Sequence, residues 1–351
     1  MIAIYGATGL TGKMIATSLV SGGQTVKLGA RSSEKLEELV ADLEPAGQWS
    51  TMAFDLDDEE QVRRFLKGAE VVINCAGPFR ELVDSLVEEA VKAGCHYLDI
   101  SGEQSHFRRL RNAWSEEAKK RGVVVMPGCG FQFALGDLAA DLALAQAASR
   151  IVVAYAVEEF KMSEGTTKSV VRTFARGGES FVRGEVKRRK TGGKRFDVPF
   201  PDGSHQVGIW VPGGEALTVP PRGGVSRVET CLAASDWMAH WAATMMGWMP
   251  WAADGLGAVA DRLASWVADD PQRQGKEANF LVIAFDPTTS RAHITLKGRD
   301  IYGTTAQIAA QMAVVLSERG SKKAGFVGAA DVVEPGAFLT RIGVRQVGSE
   351  D

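Results

Sequence analysis

The 351-residue chain lacks the features that define several large classes of protein. Its four cysteines form no C-x-x-C pair, so neither a zinc knuckle nor a disulfide scaffold is expected, and we expect a reducing, cytoplasmic location. Its net charge of −3 lacks the basic excess of a nucleic-acid-binding protein. Because Ile2–Tyr5 already has the pattern of a strand, we expect no signal peptide.

Signatures of several enzyme classes are also missing. None of the four tyrosines is followed by lysine four residues later, which argues against the Tyr-Lys proton relay of short-chain dehydrogenases. The five histidines form no H-E-x-x-H pattern, and we predict no metal site. No G-x-S-x-G elbow is present, so a serine hydrolase of that type is not expected.

The first 145 residues contain short apolar runs that alternate with amphipathic stretches. This alternation predicts an α/β fold with a parallel, doubly wound sheet covered by helices on both faces. The predicted strands are 2–5, 25–29, 50–54, 71–74, 96–100 and 123–126, and the predicted helices are 10–20, 34–43, 59–66, 82–93 and 106–120.

The pattern changes after about residue 146, where glycine, proline and broken apolar runs are frequent. These features predict a second, mixed α/β domain. Its expected elements are a strand at 150–157, a helix at 167–175, broken strands over 196–229, a hairpin of 279–286 with 291–297, and a helix at 303–319.

A glycine-rich segment, G-A-T-G-L-T-G over Gly6–Gly12, follows the first predicted strand and opens the first helix. Glycine lets the backbone approach a pyrophosphate, and the helix N-terminus supplies N–H donors. We therefore predict that this turn binds a dinucleotide. The predicted contacts are Gly6, Thr8, Gly9, Leu10 and Thr11.

The end of the second predicted strand indicates which dinucleotide is bound. An NAD-binding protein places an acidic residue here to hold the ribose diol, whereas this chain has Arg31 and Ser32. A guanidinium can bind a 2′-phosphate through two hydrogen bonds, so we predict NADP(H) as the cofactor. Asp55, after the third strand, either accepts a hydrogen bond from the adenine or caps the next helix.

Three segments follow strands at the edge of the sheet where ligands bind in such folds. The first, Cys75–Phe79, is expected to flank the nicotinamide ribose and ring through Cys75, Ala76, Gly77, Pro78 and Phe79. In the second, Asp99 and Glu103 are the candidate catalytic groups; alternatively, Asp99 braces loops and Glu103 caps a helix. Ser101 and Gly102 from the second segment and Phe131 from the third are candidate substrate contacts.

Together these motifs resemble one known family. N-C-A-G-P-F at 74–79, Y-L-D-I-S-G-E at 97–103, and P-G-C-G-F at 127–131 followed by Asp137 are similar to the saccharopine dehydrogenase-like oxidoreductases, which include trans-acting enoyl reductases. The resemblance covers the first 145 residues and continues more weakly at 220–224 and 324–342. One departure is that residues 130–137 lack the first aspartate and the proline of the family pattern G-F-D-x-x-P-x-D.

The resemblance implies a Rossmann NADP-binding domain, completed by the C-terminal end of the chain, with an inserted domain for substrate binding and dimerisation. We predict residues 1–146 plus about 325–351 for the first domain and residues 147–324 for the second. The implied activity is NADPH-dependent reduction of a C=C bond in a hydrophobic small molecule. An imine reductase acting on an amino-acid adduct, and a non-catalytic NADP-binding scaffold, remain as alternatives.

Two stretches of the second predicted domain indicate possible contacts with other molecules. Five tryptophans lie between Trp237 and Trp266, and they favour a core, a dimer interface, a lipophilic wall or a peripheral membrane contact. Seven basic residues and one acidic residue lie in 183–195, which we predict to be a solvated loop or a surface that attracts an acyl carrier or a phosphorylated substrate. We expect a homodimer.

Overall fold

The structure is a computed structural model that describes residues 1–43, 48–77, 79, 82–157, 177–234 and 279–348. The chain forms two compact units. The first contains Met1–Ser101, His106–Ala134 and Tyr302–Glu334, and the second contains Gly102–Ser105, Leu135–Ile301 and Pro335–Asp351.

The first unit is built on a seven-stranded, all-parallel sheet. The elements of residues 1–145 are β1 (Ile2–Tyr5), α1 (Leu10–Ser21), β2 (Val26–Ala30), α2 (Ser33–Ala41), β3 (Trp49–Ala53), α3 (Glu59–Leu66), β4 (Val71–Asn74), α4 (Leu82–Ala93), β5 (His96–Asp99), α5 (Gln104–Arg121), β6 (Val124–Met126) and α6 (Phe131–Ala145). With β15 (Gly325–Phe326), the strands lie in the order β15-β6-β5-β4-β1-β2-β3, so the strand order reverses between β1 and β4 while all strands stay parallel.

Local sequence explains where these elements begin and end. All four residues of β1 and of β4 are buried, as expected for strands covered on both faces. Ser32 accepts a hydrogen bond from the Lys35 N–H at the start of α2, and Asp58 accepts one from the Gln61 N–H at the start of α3. The strand order and the reversal at β1 confirm the predicted Rossmann-like fold.

The second unit contains a nine-stranded mixed sheet. Its elements are β7 (Arg150–Val157), β8 (Gly178–Val182), β9 (Glu185–Arg189), β10 (Arg195–Pro199), β11 (His205–Val211), α7 (Glu215–Thr218), β12 (Arg227–Ala234), β13 (Asn279–Asp286) and β14 (Arg291–Arg299). The last elements of the chain are α8 (Ile301–Arg319), β15 (Gly325–Phe326), α9 (Pro335–Arg341) and β16 (Arg345–Val347). The strands β10-β11-β12-β7-β13-β14-β16 form the main path of the sheet, and β8 joins β12 to β9.

The domain boundaries differ from the predicted ones at both ends. Helix α8 belongs largely to the first unit, where Ser317 donates a hydrogen bond to Glu70 and Thr305 accepts one from the Phe131 N–H. Strand β15 joins the first sheet as expected, but β16 pairs with β14 in the second. Residues 135–146 also belong to the second unit.

Three predicted features need separate comment. Residues 183–195 are not a single loop, because 185–189 form a strand that pairs with β8 in a hairpin. The predicted helix at 167–175 and the tryptophan-rich stretch lie outside the described residues. Within the ranges that the structure describes, no helix is long and apolar enough to cross a membrane.

Candidate cofactor-binding site

The turn between β1 and α1 depends on two glycines that pack against backbone. Gly6 has a φ of +78°, and a Cβ placed there would lie 2.6 Å from the Ala76 nitrogen. A Cβ on Gly12 would lie 2.3 Å from the Gly6 oxygen. Both positions therefore require glycine for the close packing of turn, helix and neighbouring strand end.

The same turn presents the N-terminus of α1. Gly9 is the N-cap and has an extended backbone, and its position leaves the first N–H groups of a 12-residue helix without a capping side chain. Thr8 lies in the turn, and Leu10 and Thr11 begin the helix, as predicted. This is an arrangement that suits a pyrophosphate, because N–H donors and the positive end of the helix dipole meet there.

The ends of β1, β2 and β3 bring polar groups to the same edge of the sheet. Burial and the nearby Asp55 carboxylate raise the pKa of Tyr5 to about 12, and the Arg31 guanidinium acts on the same phenol in the opposite sense. Arg31 and Asp55 are exposed. Asp58 caps α3, so Asp55 does not have the capping role that was its alternative to an adenine contact.

Ser32 has a structural role in addition to its predicted cofactor contact. Its hydroxyl oxygen accepts the Lys35 N–H at 3.2 Å and so caps α2. This cap fixes the backbone next to Arg31, which suits Arg31 for contact with an anion bound at the edge of the sheet.

The loop after β4 is attached to β1 and to the end of β4. The Cys75 N–H donates to the Tyr5 carbonyl at 2.8 Å and so extends the β-ladder, and the Ala76 N–H donates to Asn74 Oδ1 at 3.0 Å. A Cβ on Gly77 would make only ordinary contacts, with Phe79. Pro78 lies outside the described residues.

Asp99 is the centre of a buried hydrogen-bond network. Its Oδ1 accepts the N–H groups of Ser101 and Gly128 at 2.9 and 3.1 Å. Its Oδ2 accepts the Tyr97 hydroxyl at 2.9 Å and lies 2.7 Å from His106 Nε2. Four groups of the chain therefore form hydrogen bonds with this fully buried carboxylate.

His106 extends the network to the loop after β4. Arg109 Nη2 lies 3.1 Å from His106 Nδ1 and 3.2 Å from the Phe79 carbonyl oxygen. Because a guanidinium can only donate, Nδ1 must accept, and the imidazole is the neutral tautomer whose Nε2–H donates to Asp99. The chain from Asp99 to Phe79 thus ties the ends of β4 and β5 together.

This geometry favours the bracing role of Asp99 over the catalytic one, because its oxygens already have partners. Glu103 and Gly102 belong to the second unit. Ser101 and Phe131 remain in the first unit, where both are buried. The site is therefore built from the turn at Gly6–Gly12, the strand ends and the Asp99 network.

Other kinds of chemistry have little support at this site. Burial raises the pKa of the Cys75 and Cys129 thiols well above the ordinary range, with the Asp99 charge adding to the effect, so neither is a ready thiolate nucleophile. The described part of the chain contains no group of His, Cys, Asp and Glu that could hold a metal ion.

Sequence reasoning missed two residues of this network. No motif in the sequence indicates Arg109, although its position three residues after His106 places both side chains on one face of α5. Asn74 begins the N-C-A-G-P-F motif, and the sequence does not indicate its contacts: it accepts the Ala76 N–H and donates to the Tyr97 hydroxyl at 3.3 Å.

Comparison with known proteins identifies the first unit. Residues 2–126 match the family model "Saccharopine dehydrogenase NADP binding domain". This part of the chain is therefore a dinucleotide-binding domain of the NADP-binding class. Over these residues the chain is similar to the NADP-binding domain of saccharopine dehydrogenases, which supports the resemblance and the NADP(H) cofactor expected from the sequence.

Relatives match over only part of the chain. A "Lipid droplet localized protein" from Caenorhabditis elegans is 30% identical over 146 residues, which is 39% of this chain and 34% of that protein. A "Trans-acting enoyl reductase" from Mycobacterium tuberculosis is 32% identical over 140 residues, again 39% and 34%. The matches thus span about a third of the length of these relatives.

One solved structure is similar along the whole chain. Apo saccharopine dehydrogenase (L-Glu forming) from Saccharomyces cerevisiae aligns over 99% of both chains, with a TM-score of 0.61 and 10% sequence identity. At this identity the likeness concerns the fold. It confirms the fold class, a unit with a parallel, doubly wound sheet and a second unit with a mixed sheet.

Proposed function

We propose that this protein is an NADPH-dependent reductase that reduces the C=C bond of a hydrophobic enone or enoyl compound. The observation that carries the proposal is the turn at Gly6–Gly12, whose packing requires glycine and which opens a helix at the switch point of an NADP-binding domain. The name of the mycobacterial relatives supports the enoyl substrate.

The residues of the first unit have distinct roles in this proposal. The N–H groups at the start of α1 hold the pyrophosphate, and Arg31 binds the 2′-phosphate. NADPH supplies a hydride, which an enoyl substrate takes at its β-carbon while a proton goes to the α-carbon. The network of Asp99, His106 and Arg109 holds Phe79 and the loop after β4, which would flank the nicotinamide of a bound cofactor.

Reduction of an imine in an amino-acid adduct is the second candidate. That substrate needs an arginine free to hold its carboxylate, and Arg172, Arg176 and Arg222 are arginines of the chain that could serve. Arg222 is buried and pairs with Asp137 at 2.6 Å and Asp141 at 3.6 Å, which favours the enoyl substrate. Arg172 and Arg176 lie outside the described residues.

A substrate panel tests the proposed reaction. Enones, enoyl thioesters and imines are incubated with NADPH deuterated at C4, and NADPH absorbance and product mass are followed. We expect deuterium at the β-carbon of an enoyl product. Turnover of imines alone would replace the first candidate with the second, and NADPH binding without any turnover would favour the scaffold.

A further inference from the structure

Glu229 lies fully buried on β12 and faces three cations. Lys194 Nζ lies 2.7 Å from its carboxylate, and the Nε atoms of Arg189 and Arg227 each lie 3.4 Å away. The three cationic side chains are 26–30% exposed, whereas the carboxylate is 0% exposed. We refer to Glu229, Arg189, Lys194 and Arg227 as the Glu229 cluster.

The strand register brings these residues together. Arg227 and Glu229 are two residues apart on β12 and share one face of the sheet. Arg227 is opposite Val182 of β8, and β8 pairs in turn with β9, which carries Arg189. Lys194 directly precedes β10, and its carbonyl accepts the N–H of Trp210 on β11 at 2.9 Å. The cluster is thus built by the sheet itself.

The cluster carries more positive charge than its carboxylate can neutralise. Three cations face one anion, which leaves a formal excess of two positive charges. Arg150, opposite Arg227 on β7, already pairs with Asp286 at 2.9 Å. Across the described ranges, no second carboxylate lies within ion-pair distance of Arg189, Lys194 or Arg227. This excess is conspicuous because the cations are largely removed from water.

Two further observations indicate that Glu229 alone does not neutralise these cations. Burial chiefly lowers the pKa of Lys194, and the charges of Arg227 and Arg189 lower it further, against the effect of Glu229. Both arginines reach the carboxylate through Nε at 3.4 Å rather than through a paired fork of two N–H groups. Their terminal nitrogens therefore retain donors for another acceptor.

We propose that Arg189, Lys194 and Arg227 form a binding site for a phosphate monoester dianion. A dianion matches the excess of two charges, and its oxygens suit guanidinium forks. The nearby Ser180 hydroxyl, which accepts from Arg189 Nε at 3.1 Å, adds a neutral polar group. This site lies in the second unit and does not depend on the proposed reductase activity.

Calorimetric titration of the full chain with inorganic phosphate tests the site. Sodium chloride at matched ionic strength is the reference, and Arg195→Gln, an exposed cation beside the cluster, is the matched control. We expect Arg227→Gln to weaken phosphate binding at least tenfold and Arg195→Gln to leave it unchanged. Equal losses in both variants, or equal responses to chloride, would overturn the proposal.

A variant of opposite expected sign covers the case in which Arg227→Gln fails to fold. Glu229→Gln removes the competing anion, so it should bind phosphate at least fivefold more tightly and gain more thermal stability from phosphate than the wild type does. Unchanged or weaker binding would refute the site. Each titration is repeated in an Arg31→Ala background, because Arg31 is also expected to bind phosphate, and the effects must persist there.

The source of the phosphate group is tested with vesicles. If the protein binds phosphatidic acid vesicles but not phosphatidylcholine vesicles, and Arg227→Gln abolishes that binding, the site is assigned to a lipid headgroup. Phosphate binding without vesicle binding would assign a soluble phosphate monoester. Binding to neither probe would refute the proposal.

Discussion

The buried carboxyl of Glu215, in the second unit, should make the stability of the protein depend on pH. The substitution Glu215→Gln should remove that dependence. Glu215 is fully buried, and its oxygens accept the Tyr155 hydroxyl at 2.5 Å and the Thr230 hydroxyl at 2.8 Å. Cβ atoms on Gly136 or Gly213 would lie 2.2 and 2.4 Å from these oxygens, so the pocket is tight. No cation in the described part of the chain pairs with it.

The size of this contribution to the free energy of unfolding follows from the pKa of Glu215. Burial raises the pKa of Glu215 from 4.5 to about 7, with the charge of Asp137 adding to the shift against the hydrogen bonds from Tyr155 and Thr230. At about 1.4 kcal/mol per pKa unit, the shift corresponds to about 3 kcal/mol. Because the folded pKa is raised, this stability is fully present below pH 4.5 and is lost as pH rises through about 7.

Glu215→Gln should remove this dependence, because an amide resembles the protonated acid and does not ionise. We expect the free energy of unfolding of the wild type to fall by up to about 3 kcal/mol relative to this variant between acid pH and pH 8. Urea denaturation at stepwise pH measures the difference. Glu185→Gln, at an exposed carboxylate of the same sheet, is the control. Parallel pH profiles of wild type and Glu215→Gln would refute the reasoning.

Three further predictions concern the first unit. Gly12→Ala should lower the melting temperature and destabilise the protein by about 1–3 kcal/mol, because its Cβ would overlap the Gly6 oxygen; unchanged melting would contradict this packing. His106→Phe should weaken NADPH and NADH binding alike, by about tenfold, because it releases the loop at 75–79 without altering Arg31; a selective loss of NADPH binding would be inconsistent with that role. Cys129 should resist iodoacetamide in the native protein and react only after unfolding, as followed by peptide mass spectrometry, because burial raises its pKa; native labelling would disprove its burial.

Local sequence accounts for much of the first unit. The structure has β1, α3, β4 and α4 with the predicted bounds, because each apolar run is closed by polar or capping residues such as Asp58. The turn at Gly6–Gly12 also has the predicted context, between a strand and a helix, since glycine spacing is a local signal. Such signals need no knowledge of distant partners.

Features that depend on distant pairing could not be predicted in this way. Strand β16 is short and exposed, and only its pairing with β14 places it in the second sheet. The basic charges of 185–189 obscure a strand whose partner, β8, is itself short. The donors to Asp99 come from three separate segments, and the carboxylate looks available until the fold brings them together.

Comparison of NADPH and NADH binding is the most direct test of the central claim, that Arg31 and the turn at Gly6–Gly12 bind a 2′-phosphorylated dinucleotide. Fluorescence titration should show NADPH binding more tightly than NADH, and Arg31→Ala should reduce that preference by about tenfold or more. Lys67→Ala, at an exposed cation before β4 on the opposite edge of the sheet, should preserve it. Equal affinities for the two nucleotides in the wild type would contradict the account.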